Sequence, residues 1–262
     1  MDHLALLGQD ISQSRSQEIY TILSDMAGID LCYDLIDGPL DDRIWKNITA
    51  QGYGGFNVTR PHKRTLFAMM DHLSDAARAS GAVNVIKRMK DGSFHGHNTD
   101  QEGLLWDLRR LGYLKNQPKI LIIGAGGAVY NIMAGLAKSS PHPIALYNRT
   151  YAHALEVAEH FNTLPIQIIE DPSDMHGFDV VIYASSSEGP YEAWLKGACF
   201  KHALVYDLQY QAPTSFMQYA LHHGASKAHG GLGMLVAQAC YAMEFWYGRA
   251  FEPLVLMRAL KV

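Results

Sequence analysis

The sequence is poor in cysteine. Three residues, Cys32, Cys199 and Cys240, are spread over 262 positions with no CxxC pair. Neither a disulfide framework nor a zinc site is expected from them. The 13 histidines are also scattered, with no HExxH or comparable ligand spacing, so no metal is expected. No apolar run approaches the ~20 residues that cross a bilayer. Met1–Gly8 has no basic segment ahead of its short apolar stretch, unlike a secretory signal. Basic charge is not in excess: 22 Lys and Arg stand against 26 Asp and Glu, a net charge of −4. That balance gives nucleic acid no electrostatic footprint. These absences point to a cytoplasmic protein with no membrane and no nucleic-acid partner; the partner expected is a small-molecule carboxylate, and the protein is expected to be a monomer or homodimer.

Apolar residues are plentiful, at 48%, which is globular composition. Strand-like runs at His3–Leu7, Cys32–Asp37, Gly55–Thr59 and Val83–Lys87 alternate with helical patterns at Ser16–Ala27, Asp41–Gln51 and Lys63–Ala79. A helix is expected over Asp100–Leu111, and Lys115–Pro118 then breaks the pattern. A second series follows, with strands at Lys119–Ile123, Ile144–Asn148, Ile166–Ile169, Asp179–Ala184 and Ala203–Asp207. Helices are expected at Ala128–Lys138, Ala152–Phe161, Leu232–Trp246 and Pro253–Leu260. This rhythm predicts parallel strands with crossover helices. The fold class expected is α/β: two α/β domains around a cleft that holds the ligand, the second of them Rossmann-like.

Gly124-Ala-Gly-Gly-Ala-Val129 lies between a predicted strand and a predicted helix, the context of a dinucleotide-binding turn. Gly124 permits the tight turn, Gly126 admits a pyrophosphate, and the helix start offers free N–H groups. The third fingerprint position is Val129 instead of Gly or Ala. About 20 residues on, where an acidic residue would bind the ribose of NAD, stands Asn148-Arg-Thr150. Arg149 can pair with a 2′-phosphate, and Asn148 and Thr150 can add hydrogen bonds, so NADP is favoured over NAD. The plainer account is that Thr150 caps a helix beside a solvated Arg149.

Four polar patches occupy the other half. Ser14-Arg-Ser16 begins a helix and could cradle a carboxylate, although Ser14 and Gln17 also fit a capping box. In Asn57-Val-Thr-Arg-Pro-His-Lys63, strand alternation puts Asn57 and Thr59 on one face. Arg60, His62, Lys63 and Arg64 make a small basic spot suited to one anion. Lys63 sits early in a helix, where the dipole disfavours a cation. Asn84 stands in a strand, where it needs a partner. In Asn98-Thr-Asp100, Thr99 and Glu102 fit a second capping box, which would make Asp100 an ordinary first-turn acid. The alternative pairs Asp100 with Lys63 across the cleft as a proton-transfer device.

Asn57–Lys63, Gly81–Asn84, Asn98–Asp100, Gly124–Ala128, Asn148–Thr150 and Gly231-Leu-Gly-Met-Leu-Val236 with Gln238 resemble, in order, the motifs of the shikimate dehydrogenase family. The resemblance implies NADP-dependent, reversible reduction of 3-dehydroshikimate to shikimate, in the synthesis of aromatic amino acids. It makes Lys63 and Asp100 the catalytic pair. Ser14, Ser16 and Thr59 would hold the substrate carboxylate. Asn84, Asp100 and Gln238 would bind ring hydroxyls, with Asn57 and Tyr210 also on the substrate side. Gly124, Gly126, Gly127, Ala128, Asn148, Arg149 and Thr150 would bind NADP, and Gly233 and Met234 would line the nicotinamide. The family's first domain is discontinuous, which implies residues 1–100 with 235–262 for substrate and catalysis, and 101–234 for NADP.

The chain departs from the family pattern at Asp10, Gln13, Val85, His153, Tyr183 and Gly230. Two alternatives stay open, the first motivated by the altered start loop and Val85. One is a paralogue acting on quinate, aminoshikimate or a related cyclic polyol acid. The other is a non-catalytic ligand-binding or regulatory protein on the same fold.

Overall fold

The N-terminal apolar run forms β1 (Asp2–Gly8), and its chain continues through α1 (Ser16–Ala27), β2 (Leu31–Asp37), α2 (Asp42–Thr49) and β3 (Gly55–Val58). Then come α3 (Lys63–Phe67), β4 (His72–Leu73), α4 (Asp75–Ser80), β5 (Val85–Arg88) and β6 (Phe94–His97). The computed structural model describes residues 1–211 and 213–262. It divides into two compact units, Met1–Gly103 with Val236–Val262, and Leu104–Leu235. These boundaries fall inside helices, where no change of composition marks them.

The first unit's sheet has the order β2-β1-β3-β5-β6-β4. It is mixed, not purely parallel as the sequence rhythm suggested. β5 runs antiparallel to both β3 and β6. β6, Phe-His-Gly-His, carries a single large apolar residue and gave no strand signal. The helix expected over Lys63–Ala79 is interrupted for the same reason. Asp71 exchanges hydrogen bonds with Phe94, its N–H reaching the Phe94 carbonyl at 3.1 Å and its carboxylate accepting the Phe94 N–H at 2.7 Å. The chain therefore joins the sheet at β4 before Ser74, which accepts the Ala77 N–H, caps α4.

The second unit opens within α5 (Asp100–Arg110) and continues through β7 (Ile120–Ile123), α6 (Gly127–Lys138), β8 (Ile144–Tyr147), α7 (Tyr151–His160) and β9 (Ile166–Ile168). β10 (Val180–Tyr183), β11 (Leu204–Asp207), α8 (Ser215–His222), β12 (Lys227–Gly230), α9 (Leu232–Tyr247) and α10 (Pro253–Ala259) complete the chain. Its sheet is wholly parallel, with the order β12-β11-β10-β7-β8-β9. Ile120 and Ile122 pack into one apolar layer, while Leu121 and Ile123 pack into the other. That two-sided burial explains the unbroken apolar run of β7. β12 is a polar edge strand, which is why the sequence pattern did not reveal it. The strand order reverses between β7 and β10, so the chain leaves their carboxyl ends toward opposite edges of the sheet. In open α/β sheets such a switch point forms the ligand crevice.

Candidate functional site

In the first unit a polar chain runs from the start of α1 to the start of α5. Ser14 does not form the expected capping box. Its hydroxyl accepts the Ser16 N–H at 3.2 Å and donates to the Ser16 hydroxyl at 3.0 Å, and Gln17 turns instead to the Tyr33 carbonyl. The two hydroxyls therefore stand together at a helix start, without a charged partner among the described residues. Thr59 is half-buried just past β3. Its methyl lies where a side chain on Gly8 would have to go, so the turns after β1 and β3 pack closely. Asn57 is buried, its Oδ1 accepting the Tyr33 hydroxyl at 2.6 Å and its Nδ2 reaching the Asn84 carbonyl at 3.4 Å.

Asn84 is the hub. Its Nδ2 donates to Asp100 Oδ1 at 2.8 Å and to Thr99 Oγ1 at 3.0 Å, and lies 3.4 Å from Gln238 Oε1. Its Oδ1 accepts the Thr99 N–H at 2.8 Å. Buried amides demand this degree of satisfaction. Lys63 Nζ meets Asp100 Oδ2 at 2.5 Å, with the lysine side chain 24% and the aspartate 11% exposed. Both residues belong to the first unit, so the pair forms within it and not across a cleft as the sequence reading had it. Lys63 is held by the neighbouring backbone: the Val83 N–H donates to its carbonyl, and the buried His62 ring contacts the Gly38 carbonyl at 2.8 Å. The capping box expected between Thr99 and Glu102 is absent. Thr99 Oγ1 donates to the Gln238 carbonyl at 3.1 Å, and Asn98 Oδ1 accepts the Asp100 N–H. The result is a lysine ammonium fixed by a carboxylate, flanked by two amide side chains and reachable from solvent. Such a group can give a proton to an oxygen or take one from it.

The support beneath this cluster is acid-sensitive. His97 stacks on Phe245 at 5.0 Å, and its Nδ1 meets Ser74 Oγ at 2.6 Å. Burial, with nearby His95 adding to it, pushes its pKa down from 6.5 to about 4. The unfolded chain therefore takes up a proton below pH 6.5 that the native protein refuses. Stability is expected to fall as pH drops from 6.5 to about 4 and to level off below. Partial water contact limits this histidine's share to about 1–2 kcal/mol. Urea unfolding of wild type and His97→Asn across this window should show the difference between them shrinking in acid. Parallel curves would contradict the assignment.

In the second unit the glycine turn sits at the switch point. Gly124 has φ +121°, and a Cβ there would lie 2.7 Å from the Ala184 carbonyl oxygen of the strand across the switch, so only glycine fits. Gly126 differs. Its φ of −79° and ψ of −179° suit any residue, and a Cβ there meets nothing within 4 Å. Gly127 also has open space, and Gly126, Gly127 and Ala128 are exposed at the start of a helix that no side chain caps. A glycine that neither backbone nor packing requires, beside uncapped N–H groups, fits the close approach of a phosphate. Val129, the irregular fingerprint residue, is fully buried in the core beneath α6. At the end of β8, Asn148 Nδ2 donates to the Thr150 carbonyl at 2.9 Å, and Thr150 precedes α7 without a side-chain cap. Thr150 therefore holds the N-cap position of the plainer account without its side-chain hydrogen bond. Arg149 is exposed.

Gly231 and Gly233 leave no room for side chains. A Cβ on the first would strike the Leu208 carbonyl, and one on the second the Asp107 carboxylate. Asp107 is fully buried, paired with Arg110 at 2.6 Å and accepting the Tyr206 hydroxyl at 2.7 Å. Sequence reasoning missed Asp107, because Leu-Leu-Trp-Asp-Leu reads as an amphipathic helix with an outward acid. It also missed Tyr33, whose strand pattern gave no sign of a polar role. Tyr210 lies half-buried in the second unit, on the chain after β11, and is not part of the Lys63 network. Met234 is half-buried beside Gly233. Two departures from the family pattern have local explanations. Tyr183 stacks on Phe216 at 3.9 Å and donates to the Ser187 carbonyl. Asp10 adopts φ 58° with its N–H on the Asp37 carboxylate at 2.8 Å.

A dinucleotide turn at the switch point of a parallel sheet, in a chain that also carries a buttressed lysine–aspartate pair, defines a nicotinamide-dependent oxidoreductase. Residues 6–86 match the family described as shikimate dehydrogenase substrate binding domain, and residues 109–195 match shikimate / quinate 5-dehydrogenase. The chain is 36% identical over 257 residues to shikimate dehydrogenase (NADP(+)) of Thioalkalivibrio sulfidiphilus, covering 95% of this chain and 94% of the relative. Among solved structures it is similar to shikimate dehydrogenase from Aquifex aeolicus, with a TM-score of 0.87, 26% identity, and coverage of 100% and 98%. It is likewise similar to the Thermus thermophilus enzyme in complex with NADP(H) and shikimate, with a TM-score of 0.85, 26% identity, and coverage of 100% and 99%. The chain belongs to the shikimate dehydrogenase family. Among the described residues, no helix is long and apolar enough to cross a membrane.

Proposed function

We propose that the protein interconverts 3-dehydroshikimate and shikimate with NADP. The single observation that carries this reading is the Lys63–Asp100 pair, locked by Asn84 in a chain whose relatives at full length carry that name. Residues 1–100 with 235–262 take the substrate, and residues 101–234 take the cofactor. NADP, when bound, supplies a nicotinamide that accepts or returns a hydride. Gly124, Gly126, Gly127 and Ala128 hold its pyrophosphate. Asn148, Arg149 and Thr150 hold its ribose phosphate, and Gly233 and Met234 border its nicotinamide.

Ser14 and Ser16 at a helix start, with Thr59 just past β3, bind the substrate carboxylate through neutral hydroxyls. Asn57, Asn84 and Gln238 orient the ring. Lys63 gives its proton to the carbonyl oxygen in reduction and removes it from the hydroxyl in oxidation. Asp100 keeps Nζ at that atom, and Asn84 and the Asn98 side chain keep Asp100 in place. Fixing reactant and proton donor together can lower the barrier by about 7–11 kcal/mol.

The test is an absorbance assay with shikimate, quinate and aminoshikimate, each with NADP and NAD. The highest kcat/KM is expected for shikimate with NADP. Turnover of quinate or aminoshikimate alone would assign the chain to a paralogous activity, which buried Val85 beside Asn57 and His97 in the sheet register keeps worth testing. Binding by calorimetry without turnover of any substrate would make it a ligand-binding protein.

A further inference from the structure

Arg149 is the only lysine or arginine in the stretch Asn148–His153. Among the described residues its guanidinium has no hydrogen bond or ion pair, and a long exposed side chain in that state samples many rotamers. One contact restrains it: Cζ lies 6.0 Å from the centroid of the Trp194 ring. The indole is itself fixed. It lies parallel to the Tyr147 ring, at 3° and 6.4 Å, and packs tilted against Tyr191 at 5.7 Å. The Tyr147 hydroxyl donates to the Trp194 carbonyl at 2.8 Å. Tyr147 ends the strand that leads to Arg149, so one strand end supplies both the cation and the anchor of the ring beneath it.

A carboxylate could also hold an arginine, but it would consume the donors and cancel the charge. An aromatic face does neither. The five N–H groups of a guanidinium lie in its plane, so a cation resting on a ring still presents its whole fork outward. We infer that Trp194 is a specificity-determining residue, bracing Arg149 so that a cofactor bearing a ribose 2′-phosphate is preferred to one with a free 2′-hydroxyl. The inference rests on the proposed assignment of Arg149 to that phosphate.

The experiment measures kcat/KM with NADP and with NAD for wild type, Trp194→Leu, Trp194→Met, Arg149→Ala and the Arg149→Ala/Trp194→Leu double variant. Methionine keeps much of the bulk without a π face, so it serves if the leucine variant does not fold. Loss of the ring is expected to lower the NADP-to-NAD ratio about two- to fivefold, with NAD turnover unchanged. In the Arg149→Ala background, losing the ring should leave the ratio unmoved, because the two residues act as one unit. An unchanged ratio in both Trp194 variants, or NADP and NAD turnover falling in parallel, overturns the inference. An unchanged ratio in Arg149→Ala overturns the Arg149 assignment itself.

Discussion

Lys63→Ala is expected to lower kcat by about 10²–10⁴-fold, the contribution of a positioned proton donor, while NADP affinity stays within about twofold of wild type. The fold should survive the change. Lys63 is partly exposed, and Asp100 keeps its bonds from the Asn84 amide and its own N–H cap on Asn98. No buried carboxylate is left without partners, so the loss reads as chemistry. Lys63→Met preserves the bulk and should behave alike. Cofactor affinity by fluorescence titration, measured beside steady-state rates, separates the two effects. Near-normal kcat in either variant would remove Lys63 from the mechanism.

The second large effect divides two neighbouring glycines. Gly126→Val should leave the melting temperature almost unchanged, because its backbone angles suit valine and no protein atom stands within 4 Å of the new Cβ. NADP should nevertheless bind at least about tenfold more weakly, as the side chain enters the space a pyrophosphate needs. Gly124→Val should instead destabilise the fold by at least about 1–3 kcal/mol. It forces a β-branched residue to φ +121° and drives it into the Ala184 carbonyl. Calorimetric melting with isothermal titration distinguishes them. Equal losses of stability in both variants would mean that Gly126 is a packing glycine.

The second unit was the more legible in the sequence. β7 announces itself because both its faces are buried, and the glycine turn follows it directly. The first unit was read less well. β6 carries two histidines and a glycine, so its pairing with β5 depends on partners distant in sequence, and the break between α3 and α4 follows from that pairing. Within the site, Lys63, Asp100, Asn84 and Gln238 were legible through their motifs. The resemblance already implied one discontinuous domain for all four; which of their side chains touch was not legible, because sequence order does not say which strand ends adjoin. Tyr33 and Asp107 were hidden in ordinary amphipathic patterns, where a polar atom turned inward looks the same as one facing water. Capping signals were the least reliable guide. The apparent boxes at Ser14 and Thr99 both dissolve because a better partner lies nearby: the Ser16 hydroxyl in one case, the Asn84 and Gln238 pair in the other.

The most direct measurement is a crystal structure of the protein with NADP and shikimate bound together. Lys63 Nζ should lie within about 2.6–3.2 Å of the hydroxyl oxygen that is oxidised, still paired with Asp100, and the substrate carboxylate should rest on Ser14, Ser16 and Thr59. A substrate bound with that hydroxyl away from Lys63, or a lysine swung off Asp100 toward solvent, would contradict the account.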